Sequence, residues 1–317
     1  MSLLSLSGLV IAITTFVLLI ILLIYGKAKI HRIWMLFNFT VFIWGLGTFL
    51  VGQATTPQDA SLSWKIAGTG GLFISVLFYH TINILLDLKK QRLLFIVYLQ
   101  AVFFWALMCF TKEGLIFANW RLLFSSLYYN QATIGYTLMM SCWALVACLG
   151  HYELWKFLKT ARGLKRTQAI YFLIAFAIGF TGGGLVLLPA WGVPIYPIGN
   201  FGIALYVIIG TYAILRYRVM DIKVVLRQYS VFLFSFFVVA LPTLYLKSIY
   251  EKIVPQYIFW VDFALLFIAV YFFPICKDYF YHFANKYLFS SLYDSAEVIA
   301  GLSDKLRSTL SLANLYG

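Results

Sequence analysis

The stretch LLSLSGLVIAITTFVLLIILLIY, Leu3–Tyr25, is 23 residues without a single charge, and Lys27, Lys29 and Arg32 follow it directly. About 20 apolar residues suffice for a helix to cross the hydrocarbon core of a bilayer. Apolar runs of this kind recur to about Ile275, and basic residues cluster after every second one. The clusters are Lys27/Lys29/Arg32, Lys89/Lys90/Arg92, Lys156/Lys159/Arg162/Lys165/Arg166, Arg216/Arg218/Lys223/Arg227, and Lys277 with Lys286. The intervening connections hold only Lys65, Lys112, Arg121, Lys247 and Lys252. Positive residues stay on the cytoplasmic side in short loops. The pattern predicts a chain that begins outside, crosses about nine times and ends in the cytoplasm.

The expected fold class is all-α, a polytopic transmembrane helix bundle of seven spans plus a final pair, followed by a cytoplasmic linker helix. The expected spans are 3–25, 33–51, 64–88, 93–110, 132–155, 168–188, 198–215, 229–246 and 257–275. The expected division is residues 1–215 as a seven-helix region, 216–228 as a basic interfacial elbow, 229–275 as a final helix pair and 276–317 as a cytoplasmic linker. The connection 111–131 carries Trp120, Phe124, Tyr128 and Tyr129 and is expected to lie in the membrane interface, where Trp and Tyr are favoured. Gly179 and Gly183 have the spacing that lets another helix approach closely.

The composition agrees: 63% of the 317 residues are hydrophobic, 11% are charged and the mean hydropathy is +0.90. No ordinary soluble domain has these values. The formal net charge of +13 sits at helix ends facing one way, which fits anionic lipid headgroups rather than nucleic acid. Membrane lipids are the expected partners. Cys109, Cys142, Cys148 and Cys276 lie in or beside apolar runs without a CxxC pair. They read as buried, inert thiols, so neither a disulfide framework nor a metal site is expected.

Soluble catalytic motifs are missing. There is no P-loop, no HExxH and no phospho-accepting histidine helix around His31, His80, His151 or His282. No catalytic residue and no cofactor is expected. The better clues are polar groups inside the spans, since an ionisable group at mid-bilayer costs about 2.5–3.5 kcal/mol on insertion scales. Asn38, His80, Asn83, Gln100 and Asp262 are therefore the candidate sensing residues, each of which could equally serve as a plain interhelical hydrogen bond.

From Tyr212 to Arg227 the chain reads Tyr-Ala-Ile-Leu-Arg-Tyr-Arg-Val-Met-Asp-Ile-Lys-Val-Val-Leu-Arg. This resembles the juncture that closes the N-terminal seven-transmembrane sensor region of bacterial histidine kinases, with Val219 where that pattern has leucine. A second resemblance, to the linkers that lead into GAF or kinase domains, covers Lys286–Phe289, Leu292–Asp294 and Leu302–Leu306. Ser290 and Ser291 stand where such linkers are richer in arginine. The juncture also precedes diguanylate cyclases and phosphatases.

The resemblance implies a sensor in the bacterial inner membrane, homodimeric, relaying a membrane or extracellular signal to a cytoplasmic output domain or response regulator. Arg216, Arg218, Asp221 and Arg227 in the elbow, with Leu302 and Leu306 on the linker stripe, are the signal-relay candidates. A kinase core is missing from these 317 residues, so the chain is expected either to be truncated or to work with a partner kinase. The alternative function is a transporter or channel for a small molecule or ion; Asp262 is the one acidic residue well inside an expected span.

Overall fold

The computed structural model describes residues 2–215 and 258–284, and between them 231, 232, 234–236, 238–240, 242, 243, 245–247, 249 and 250. The chain forms two compact units, residues 1–222 and 223–317. The first unit holds α1 (Leu3–Tyr25), α2 (Lys29–Val51), α3 (Pro57–Leu85), α4 (Gln91–Phe110), β1 (Phe117–Leu123), β2 (Leu127–Ala132), α5 (Ile134–Leu158), α6 (Gly163–Leu187) and α7 (Phe201–Leu215). Short 3-10 turns, Leu188–Trp191 and Ile198–Asn200, join α6 to α7. The second unit holds α8 (Phe234–Lys247), described in part, and α9 (Ile258–Phe283).

Among the described residues, seven helices are long and apolar enough to cross a membrane; α7 and α8 are apolar but shorter. The all-helical polytopic bundle expected from the sequence is therefore present, with one small hairpin added to it. The elbow residues Arg216, Arg218, Asp221 and Arg227, and Leu302 and Leu306 on the linker, lie outside the described residues. α9 runs past Ile275 to Phe283 and contains Pro274.

Two expectations need correction. The third span starts at Pro57 rather than near Trp64, because Thr56 caps it: its hydroxyl accepts from the Asp59 amide at 3.1 Å, and Pro57 takes the first turn. The four thiols are not fully buried either; Cys148 is exposed on α5 and the others are half-buried. In a bilayer, an outward apolar position meets lipid rather than protein.

Close helix contacts come from small residues. Within a bilayer, helices associate through tight packing rather than exclusion of water. A Cβ on Gly47 would collide with the backbone of Ala67, so α2 and α3 meet there almost backbone to backbone. On α6 a Cβ on Gly182 would strike the Gly199 carbonyl, and one on Gly179 would enter the Tyr206 ring. The close approach expected at Gly179 is thus real, and it seats an aromatic ring.

The connection expected to be an interfacial loop is partly a β-hairpin. β1 and β2 pair antiparallel, with Phe117 opposite Ala132 and Leu123 opposite Leu127. Phe124 and Ser125, at φ 53° and 57°, supply the positive φ pair of a primed turn, closed by Ser126 N donating to Leu123 O at 3.2 Å. The hairpin lies over the ends of the helices: Trp64 Nε1 donates to Tyr128 O at 2.9 Å, and the Phe124 and Tyr196 rings meet edge to face at 5.1 Å. Burial raises the Tyr196 hydroxyl above its ordinary pKa, an effect opposed by the backbone amides of Leu3 and Leu4.

Candidate functional site

Beneath the hairpin, the seven-helix unit contains a partly open cavity. Trp44 from α2, Trp64 from α3, Met108 from α4, Phe117 from β1, Trp143 from α5 and Tyr206 from α7 contribute to its wall, as do Gly179 and Gly183 of α6. Every α-helix of the unit except α1 takes part. The lining carries no charged side chain. A mostly apolar concavity with a few polar groups is the usual character of a small-molecule site.

The local folding explains why the cavity stays open. Gly68 and Gly71 on α3 face Met108 and the Trp44 ring, and Gly183 on α6 leaves 3.3 Å between a hypothetical Cβ and Ile203 Cδ1. Glycines on two walls make them flat, while large rings supply the rest. Thr133 starts α5 by accepting from Tyr136 N at 2.9 Å, and its hydroxyl reaches Leu115 O at 2.7 Å. That places Tyr136, Met139 and Trp143 along one face of α5 against the cavity.

Below the cavity lies an aromatic core. Trp34 stacks on Phe37 at 4.4 Å, Phe37 meets Tyr206 at 5.8 Å, Tyr206 meets Phe176 at 5.4 Å, and Phe176 meets Phe78 at 4.1 Å. Tyr206 is shared by core and cavity. Its hydroxyl is buried and has no hydrogen-bond partner among the described residues.

A polar knot holds the hairpin end of the bundle. Asn200, fully buried, accepts from Trp44 Nε1 at 3.0 Å and donates to Ser7 Oγ at 2.8 Å and to Thr48 Oγ1 at 3.4 Å. One carboxamide thereby ties α1 and α2 to the turn that leads into α7. Nearer the other end, Trp34 Nε1 donates to Thr211 Oγ1 at 2.8 Å. Asn200, Tyr206 and Thr211 all fall within the expected span 198–215 and were not among the candidates; the available signal was a polar residue inside an apolar run.

The candidates chosen for polarity and depth do not come together. Asn38 donates to Trp34 O at 2.8 Å, within its own helix, while its Oδ1 has no partner among the described residues. Gln100 likewise donates to Val97 O at 3.1 Å. His80 Nδ1 and the Tyr98 hydroxyl share a bond of 2.8 Å that joins α3 to α4. Asn83 is buried one turn beyond His80. Asp262, in the second unit, pairs with Lys247 at 2.6 Å. None of the five lines the cavity.

At the basic end of the first unit, Lys90 pairs with Glu153, which is buried on α5. The hydrogen bond it donates to Glu153 holds the Lys90 ammonium above its ordinary pKa, against a smaller opposing effect of burial. Among the described residues, no three His, Cys, Asp or Glu side chains are grouped as metal ligands.

A family model described as the N-terminal 7TM region of histidine kinase matches residues 8–223. The match takes in nearly all of α1 and everything from α2 to α7, hairpin and cavity included. No curated protein and no solved structure matches the chain.

Proposed function

The chain belongs to the family of N-terminal 7TM regions of histidine kinases, and from that membership we propose that it is the sensor module of a two-component system. In this reading the seven-helix unit binds a membrane-borne or extracellular signal in the cavity under the hairpin. The supporting observation is that the family match and the walls of the cavity occupy the same stretch of chain. The module sits in a bacterial inner membrane with its N-terminus outside and its C-terminus in the cytoplasm, as the basic clusters favour. It works as a homodimer and relays its state through Arg216, Arg218, Asp221 and Arg227, then Leu302 and Leu306, to a cytoplasmic output domain. A helix shift of about 1–2 Å is an ordinary size for such a switch.

The test is a fusion of the full chain to a histidine kinase core, assayed for autophosphorylation in proteoliposomes. Gly183→Leu, which fills the cavity, is expected to lock the activity at one level. Replacing both Leu302 and Leu306 by Asp is expected to uncouple the core from any change in the cavity. An output indifferent to the cavity substitution would refute the sensor reading. Retained coupling in the Leu302/Leu306 variant would refute the proposed relay.

A further inference from the structure

Three indoles face the cavity, and all three N–H groups are already engaged: Trp44 with Asn200, Trp64 with Tyr128 O, and Trp143 with Gly71 O at 2.9 Å. Tyr206 is different. It is 2% exposed, lines the same cavity, and its hydroxyl meets no partner among the described residues. A buried hydroxyl without a hydrogen bond bears the full cost of leaving water. Burying it so is costly beside three indole donors that are all paired, and a bound molecule that supplies the missing bond would recover that cost.

We propose that the cavity binds a neutral, mostly apolar small molecule carrying one hydroxyl or carbonyl group, and that the Tyr206 hydroxyl bonds to that group. The inference rests on the sensor reading of the seven-helix unit and names the chemistry of its signal. Neutrality follows from the wall, which has no charged side chain to pair with an ion. A planar apolar body follows from its surfaces: indole and phenyl faces on some sides, and the flat strips left by Gly68, Gly71 and Gly183 on others. Met108, Met139 and Met140 add polarizable side chains that adjust to the ligand's outline. A lipid acyl chain would fill the same space but leave the Tyr206 hydroxyl unmet.

Tyr206 is also well placed to report occupancy. Its ring lies against Phe37 of α2 and Phe176 of α6 and over Gly179, where no side chain intervenes. A ligand that draws the hydroxyl toward itself acts on the α2, α6 and α7 contact at one point.

The test measures equilibrium binding of radiolabelled 1-naphthol and of naphthalene to the full chain in phosphatidylcholine nanodiscs, with partition into empty nanodiscs subtracted. The two probes differ by a single hydroxyl. The wild-type chain is expected to bind 1-naphthol about tenfold more tightly than naphthalene. Tyr206→Phe is expected to abolish that preference while retaining naphthalene binding, which also shows that the variant is folded. Gly183→Leu is expected to lose both probes.

Equal affinity for the two probes in the wild-type chain, as for a cavity that holds only lipid chains, overturns the proposal. So does a preference that survives in Tyr206→Phe, or no binding of either probe. The kinase fusion separates this inference from the sensor reading. If Gly183→Leu alters autophosphorylation but 1-naphthol does not bind, the sensor reading stands and the ligand chemistry falls. If 1-naphthol binds as expected but neither it nor Gly183→Leu alters phosphorylation, the ligand chemistry stands and the sensor reading falls.

Discussion

Trp44 and Asn200 are 156 positions apart in sequence, and the indole Nε1 of one donates to the carboxamide oxygen of the other at 3.0 Å in the buried interior. The same carboxamide reaches Ser7 and Thr48, so the entry to α7 is fastened to α1 and α2 together. Interhelical hydrogen bonds in membranes average about 0.6 kcal/mol each. Asn200→Leu, which removes three, is expected to destabilise the chain by about 2 kcal/mol on that scale. Reversible unfolding in mixed micelles measures the loss, and a change within error would show that the knot is not structural.

The Lys90–Glu153 pair is asymmetric: the Lys90 side chain is half-exposed, while Glu153 is buried. Removing the cation strands a buried carboxylate, whereas removing both charges does not. Lys90→Met should therefore destabilise the chain more than the double replacement Lys90→Met/Glu153→Leu. Thermal unfolding of the two variants decides it.

The same pair gives a pH dependence with a definite sign. The Lys90 pKa is raised above its ordinary 10.5 in the folded chain. Its contribution to stability is thus complete below about pH 10.5 and is lost as pH rises through the higher folded value. The wild-type chain should lose stability there relative to Lys90→Met, and parallel stability curves would contradict the assignment.

Gly182 and Gly184 are two positions apart on α6 with opposite surroundings. A Cβ on Gly182 strikes the Gly199 carbonyl, while one on Gly184 meets nothing within 4 Å. Gly182→Ala is expected to cost about 1–3 kcal/mol through forced separation of the backbones. Gly184→Ala should be neutral or slightly stabilising, since alanine is the better helix former. Comparison of the two melting points is the check.

Ser125 is exposed at φ 57° at the hairpin tip. Glycine adopts that conformation without a Cβ penalty, so Ser125→Gly should stabilise the hairpin by up to about 1 kcal/mol. Slower amide exchange across 117–132 would report it.

The alternation of basic clusters made the antiparallel bundle legible, because a long charge-free run has few alternatives to a membrane span. The start of α3 was hidden because 57–63 is polar, and only the capping geometry at Thr56 shows that the helix already exists there. The hairpin was hidden because Phe124 and Ser125 hold positive φ without the Gly or Asn that usually announces it. Polarity within a span pointed to Asn38 and Gln100, yet both spend their amide donors on backbone carbonyls of their own helices. Tyr206 looked like any membrane tyrosine; its unpaired hydroxyl is a property of what surrounds it in space.

Trp34 and Trp44, both on α2, bond to Thr211 and Asn200 on the α7 side, so two cross-pieces tie the same pair of helices. They are ten residues apart on α2, about 15 Å along its axis. A pair joined by two such rungs is held at both ends like the rails of a short ladder. Tyr206 meets Phe37 between the rungs, so this aromatic contact is bracketed on both sides by a hydrogen bond that crosses from α2.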